Sequence, residues 1–92
     1  GLWIITGCSH AGICNIIDYA KKVCSEERIA GVIGGFHLLE MTPRVKKTAD
    51  YLKKENPKHL CPCHCMSFHA RAAIHARIPV EEVCVGDTLE LR

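Results

Sequence analysis

The residues with chemistry to offer in this chain are histidines and cysteines, and their placement repeats. Trp3 to Thr6 is an apolar run that ends in Gly7-Cys8-Ser9-His10, and Ile29 to Ile33 is another that ends in Gly34-Gly35-Phe36-His37. The third instance is the densest: His59-Leu60-Cys61-Pro62-Cys63-His64-Cys65-Met66-Ser67-Phe68-His69 places three cysteines and three histidines within eleven residues. Each time, a strand-like run delivers a histidine at or just after its end and a helix-like pattern follows. Neutral imidazole is a common ligand for borderline metals, so histidines held at strand ends are candidates for a shared site.

Each motif also has a plainer reading. His10 can be a histidine at a helix start with no ligand role, and His37 a loop histidine beside a flexible Gly-Gly turn. A nucleophile turn around Cys8 or Ser9 lacks the Gly-x-Ser-x-Gly pattern. In Cys61-Pro62-Cys63-His64-Cys65 the cysteines alternate, which points their side chains to opposite sides of an extended chain. A zinc knuckle needs two cysteines with two to four residues between them and a second such pair further on, and a redox dithiol needs Cys-x-x-Cys. Neither is present. Inert cysteines lining a single functional His64 fit the spacing better. His59, His69 and His75 read as structural, and Asp18, Glu40 and Asp87 form no pair with acid–base spacing.

The elements that position these residues follow from periodicity. Leu2-Trp3-Ile4-Ile5 and Ile29-Ala30-Gly31-Val32-Ile33 are continuous apolar runs, as in strands buried on both faces. After the first, Ser9 is placed as an N-cap for a helix from Ala11, with Ile13, Ile16, Ile17, Ala20, Val23 and Cys24 on one stripe. Thr42-Pro43 opens a second helix that runs to Glu55 with Val45, Ala49 and Leu52 inward, and Asn56-Pro57 stops it. His59 to Cys61 is a third strand. Ser67 caps a third helix, Phe68 to Arg77, with Phe68, Ala72 or Ala73, and Ile74 or His75 inward. Val83 to Leu91 closes the chain as one or two edge strands. The order is β-α-β-α-β-α-β, which predicts an α/β layer with functional residues at the carboxyl ends of parallel strands.

The totals set bounds. Ninety-two residues make a single domain, 1–92, near the lower end of what folds alone. A formal charge of +2, with the basic residues spread along helices and few aromatics, gives no reason to expect nucleic acid. No apolar run reaches membrane-spanning length and no signal segment opens the chain, so a cytoplasmic location is expected. Seven cysteines, an odd number, are expected to be reduced thiols rather than a disulfide framework. The chain begins at Gly1, inside a hydrophobic strand, and is expected to be a piece of a longer protein.

Taken together, Gly7-Cys8-Ser9-His10-Ala11-Gly12-Ile13, Ile33-Gly34-Gly35-Phe36-His37-Leu38 and Pro62-Cys63-His64-Cys65 resemble the C-terminal half of metallo-β-lactamase-fold, metal-dependent hydrolases. Within that family they resemble the branch that includes a methanogen synthase joining a dihydropterin to a ribofuranosylaminobenzene phosphate. The resemblance implies half of an αβ/βα sandwich, with one sheet and helices on one face, and a dinuclear metal site, usually zinc. His10 would bind the first metal and His64 the second. His37 falls where many members carry a bridging aspartate, and is a ligand, a substrate contact or neither. The family's His-x-His-x-Asp-His motif has no counterpart in this chain, and a catalytic zinc takes three protein ligands with one open position. The expectation is a chain that contributes part of a hydrolase or pterin-type transferase site for a small-molecule substrate and is inactive alone. Its partner would be an N-terminal half or a second copy of the chain. The alternative is a non-enzymatic metal-binding or assembly module that dimerises through an exposed sheet face.

Overall fold

A computed structural model describes residues 1–39, 42–63 and 66–81. Three strands, β1 (Leu2–Ile5), β2 (Ile29–Gly34) and β3 (His59–Pro62), alternate with α1 (Ile13–Cys24), α2 (Pro43–Glu55) and α3 (Phe68–His75). The sheet has the order β1-β2-β3, with both pairings parallel. Parallel neighbours need a crossover, and α1 and α2 supply it. This is the α/β layer expected from the periodicity. The expected strands between Val83 and Leu91 lie outside the described residues, as do Glu40, His64, Cys65 and Asp87.

Register decides which side chains enter the core. Ile4 lies beside Val32, which lies beside Leu60. All three are buried in one cluster with Ile13 and Ile17 of α1, Val45, Ala49 and Leu52 of α2, and Ala70 and Ile74 of α3. The helices therefore cover one face of the sheet. Each fully buried aliphatic side chain contributes about 1.5–3 kcal/mol relative to exposure, so this face carries most of the fold's stability. Two polar links add to it by joining α1 to α2: a Lys21–Glu55 ion pair at 2.7 Å and a hydrogen bond from the Tyr51 hydroxyl to Asp18.

The helix phases differ from expectation in three places. The core-facing stripe of α1 is narrower than its apolar pattern: Ile13 and Ile17 are buried, Ile16 and Ala20 are half-buried, and Val23 and Cys24 are exposed. In α3 the inward residues are Ala70 and Ile74, while Phe68 is 79% exposed. Phe68 is the first residue of the helix, so it points off the end of the sheet, and α3 stops at His75, short of Arg77. Ser67 does cap α3, its Oγ accepting from the Ala70 N–H at 3.1 Å. Ser9 caps nothing. The α1 N-cap is Gly12, and Ser9 sits at φ 63° with its hydroxyl turned elsewhere.

The opposite face carries Trp3 beside Gly31 and His59, and Ile5 beside Ile33 and Cys61. The Trp3 ring lies across Gly31 and stacks on His59, with ring centroids 5.2 Å apart. A Cβ on Gly31 would come within 2.3 Å of that ring. Gly31→Ala should therefore lift Trp3 off His59 and destabilise the fold by about 1–3 kcal/mol. Urea unfolding followed by fluorescence of this single tryptophan checks both effects: an unchanged midpoint and spectrum would mean the ring is not seated as described.

Candidate metal centre

The carboxyl ends of the three strands lie side by side, and backbone hydrogen bonds continue past them. Thr6 N–H donates to the Ile33 carbonyl at 2.9 Å, Gly35 N–H to Gly7 at 2.8 Å, and Cys63 N–H to Gly34 at 2.8 Å. Further out, Leu38 pairs with Met66 in a parallel bridge, and Ser67 N–H donates to the Leu38 carbonyl at 2.9 Å. The loops that follow β1, β2 and β3 are thus laced into one edge. Gly34 permits the closest approach: its φ is 147°, and a Cβ there would lie 2.2 Å from the Thr6 carbonyl oxygen.

On this edge the His10 and His37 rings meet, centroids 4.3 Å apart and tilted by 37°. Two of the four non-glycine residues with positive φ sit here, Ser9 at 63° and His37 at 52°. A left-handed conformation costs such a residue about 1–3 kcal/mol and persists only where its surroundings enforce it. For Ser9 the enforcing contact is visible. Its buried hydroxyl donates to the Gly35 carbonyl and lies 3.3 Å from Thr6 Oγ1, tying the His10 loop to the His37 loop. For His37, Nδ1 is buried and has no hydrogen-bond partner among the described residues. A buried polar atom without a partner normally costs about 1–3 kcal/mol. Here it marks a nitrogen that would be satisfied by a ligand.

Those donors fit a metal in part. Two imidazoles side by side, one with an orphaned nitrogen, suit zinc or a similar ion. Among the described residues, no group of three histidines, cysteines or carboxylates is close enough to hold an ion. His64, the third expected ligand, lies outside the described residues. His10 and His37 would hold the metal from this side, two ligands of the three that a catalytic zinc takes.

The neighbouring thiols do not join them. Among the described residues, Cys8, Cys14, Cys24, Cys61 and Cys63 form no disulfide. Cys61 is fully buried, and burial, with Glu81 and Cys63 adding to it, pushes its thiol up to about 11. Cys63 donates its S–H to the Cys61 carbonyl at 3.2 Å. These sulfurs line the strand, as the alternating spacing implied. His59 bonds Glu81 at 2.8 Å, and His75 Nδ1 accepts from Val80 N–H at 3.0 Å, so both serve the fold.

The structure adds residues that the spacing did not single out. A cavity of about 370 Å³ opens beside the histidine pair, between the start of α1 and the first turns of α2, with Arg44, Lys47 and Tyr51 in its wall. Nothing in a Lys/Arg count separates these cations from the rest of α2. The only sequence cue is their three-residue offset behind Thr42-Pro43, which puts both on one helix face.

Comparison with known proteins agrees with this geometry. No family model matches the chain. The crystal structure of a metal-dependent hydrolase of the β-lactamase superfamily superposes with a TM-score of 0.89 over 99% of the chain, at 33% identity. The chain has the fold of that superfamily. It is 39% identical over 71 residues to the 7,8-dihydropterin-6-methyl-4-(beta-D-ribofuranosyl)-aminobenzene-5'-phosphate synthase of Methanocaldococcus jannaschii. It is also 41% identical over 68 residues to an uncharacterized protein of the same organism. The chain spans about a quarter of these two relatives, 24% and 25%, and 36% of the solved hydrolase. The sheet with helices on one face is therefore half of a β-lactamase-superfamily sandwich, as the three motifs implied.

Ser9→Ala tests the lacing. It leaves the Gly35 carbonyl without its donor and should cost about 1–3 kcal/mol, read as a lower urea midpoint. If Ser9→Ala unfolds at the wild-type midpoint, Ser9 does not tie the two loops.

Proposed function

We propose that this chain supplies the His10–His37 side of a dinuclear zinc centre in a metal-dependent hydrolase acting on a small-molecule substrate. The observation that carries the reading is the histidine pair at the sheet's carboxyl edge, with the buried, partnerless Nδ1 of His37. His64 comes two residues after β3 in the sequence and would serve the second ion. The remaining ligands, of the His-x-His-x-Asp-His type, would come from a segment beyond these residues, N-terminal in the same protein or in a partner. Zinc, when bound, supplies Lewis-acid polarisation and water activation. The chain's own part is to fix imidazole positions through Ser9 and Gly34 and to wall the adjoining cavity. The likeness to the methanogen synthase makes a pterin-type substrate the specific form of this proposal. A reducing, cytoplasmic setting suits five described cysteines outside any disulfide, and no helix among the described residues is long and apolar enough to cross a membrane.

Cobalt(II) absorption spectroscopy tests it. The chain alone should bind cobalt weakly, with no second tight ion. Replacing His10 or His37 by Ala should weaken binding at least as much as loss of an outer-shell partner does, about tenfold or more. Supplying the segment that bears the His-x-His-x-Asp-His motif should raise the stoichiometry to two. Two tightly held zinc ions per isolated chain, with phosphodiester hydrolysis, would overturn the shared-site reading.

One observation favours a second reading, an assembly module. The open sheet face exposes Ile5 to 69% and leaves Trp3 and Ile33 half-buried. An apolar face of this kind marks an interface, and a second copy of the chain could cover it. Sedimentation of the chain should then show a concentration-dependent dimer that Ile5→Lys dissociates. A monodisperse monomer would count against self-pairing.

A further inference from the structure

The cavity beside the histidines is electrostatically one-sided. Its described lining contains Arg44, Lys47 and two histidines and no carboxylate. Neither Arg44 nor Lys47 forms an ion pair with any described residue, although Lys21, Arg28 and Arg77 all do. Both are exposed, so their charges are free to meet a ligand at the cavity mouth.

The helix geometry reinforces this. Because α1 and α2 cross between parallel strands, both start at the carboxyl edge and aim their N-termini toward it. Neither start has a side-chain cap, and neither has an acidic residue in its first turn. Unsatisfied N–H groups and the positive ends of two helix dipoles thus add to the two cations. The far wall is neutral: burial, reinforced by Asp18, pushes the Tyr51 phenol above its ordinary range, and its hydroxyl is already given to Asp18. Thr48, almost fully buried, lies between Lys47 and Ala49 at the floor. A cavity of about 370 Å³ is within the range for small-molecule sites.

We propose that this cavity binds a small oxyanion, the phosphoryl or carboxylate group of a small molecule, through Arg44 and Lys47. The proposal rests on the reading above only for its role: the anion would anchor a substrate whose reacting part reaches the His10–His37 edge. The site itself stands on α1 and α2 alone.

The test is a metal-free NMR titration of the full chain with inorganic phosphate, and in parallel with acetate, at ionic strength held constant with sodium chloride. Phosphate should give saturable amide shifts at residues 13–15 and 44–48. The double variant Arg44→Gln/Lys47→Gln should bind about tenfold more weakly or worse, since charge-assisted hydrogen bonds to both cations are lost. Lys53→Gln/Lys54→Gln, on the last turn of the same helix, should bind as the wild type does, and a thermal melt confirms that both variants fold. Saturation by phosphate alone assigns the site to phosphoryl groups, and saturation by both anions assigns it to oxyanions generally. Unchanged phosphate binding in the Arg44/Lys47 variant, or shifts that never saturate, would sink the proposal. Cobalt binding separates it from the metal centre: the Arg44/Lys47 variant should keep the wild-type cobalt spectrum. A chain that saturates with phosphate but binds no cobalt would defeat the metal reading and leave this site standing.

Discussion

The backbones of β1 and β2 come so close at their carboxyl ends that a Cβ on Gly34 would lie 2.2 Å from the Thr6 carbonyl oxygen. That contact allows Thr6 to bond Ile33 and Gly35 to bond Gly7, so the two loops leave the sheet together rather than splaying. Ser9 then fastens them from inside. With both loops held, His10 and His37 are brought ring to ring, although 26 residues of chain and a whole helix separate them. The cost of two left-handed non-glycine residues is borne by this lattice of short backbone bonds. Without Gly34 the pair would have no reason to form.

The two faces of the sheet have different roles. The helix side holds the continuous core from Ile4 through Val32 and Leu60 to the helices, and it is complete by itself. The other side presents Trp3, Ile5 and Ile33, and among the described residues no element is layered over them. In a β-lactamase-superfamily sandwich a second sheet would occupy that position, and the solved hydrolase is nearly three times the length of the matched region. The histidine edge shows the same division: its described residues bring two imidazoles together, and a catalytic zinc would take three ligands.

The cysteine-rich stretch illustrates how composition and geometry diverge. Read as a list of atoms, Cys61 to Cys65 is a soft-metal cluster. In the sheet, Cys61 is fully buried on the face away from the helices, with a thiol held in its protonated form by burial, while Cys63 bonds back to the chain. A protonated, buried thiol is a packing group. The imidazoles of His10 and His37, after the neighbouring strands, are the groups that line the cavity.

Much of this was legible from residues alone. Alternating apolar runs and helical stripes fixed the element order, because burial of one face imposes its period on any sequence that folds this way. The Thr42-Pro43 start, the Asn56 stop and the Ser67 cap are local chemistry and could be read locally. The strand-end position of His10 and His37 follows from the same pattern. Helix phase at the ends was not legible: Val23 and Phe68 look apolar enough for the core, yet they lie beyond the sheet's footprint, a fact that exists only once the layers are stacked. Nor could the sequence show that Ser9 bridges two loops instead of capping a helix, or that, among the described residues, His37 Nδ1 finds no partner and Arg44 and Lys47 stand unpaired over a cavity. Each of these depends on contacts between segments far apart in the chain. The sequence by itself determined the elements and their order; only the tertiary structure decided which polar atoms found partners and which were left facing a site.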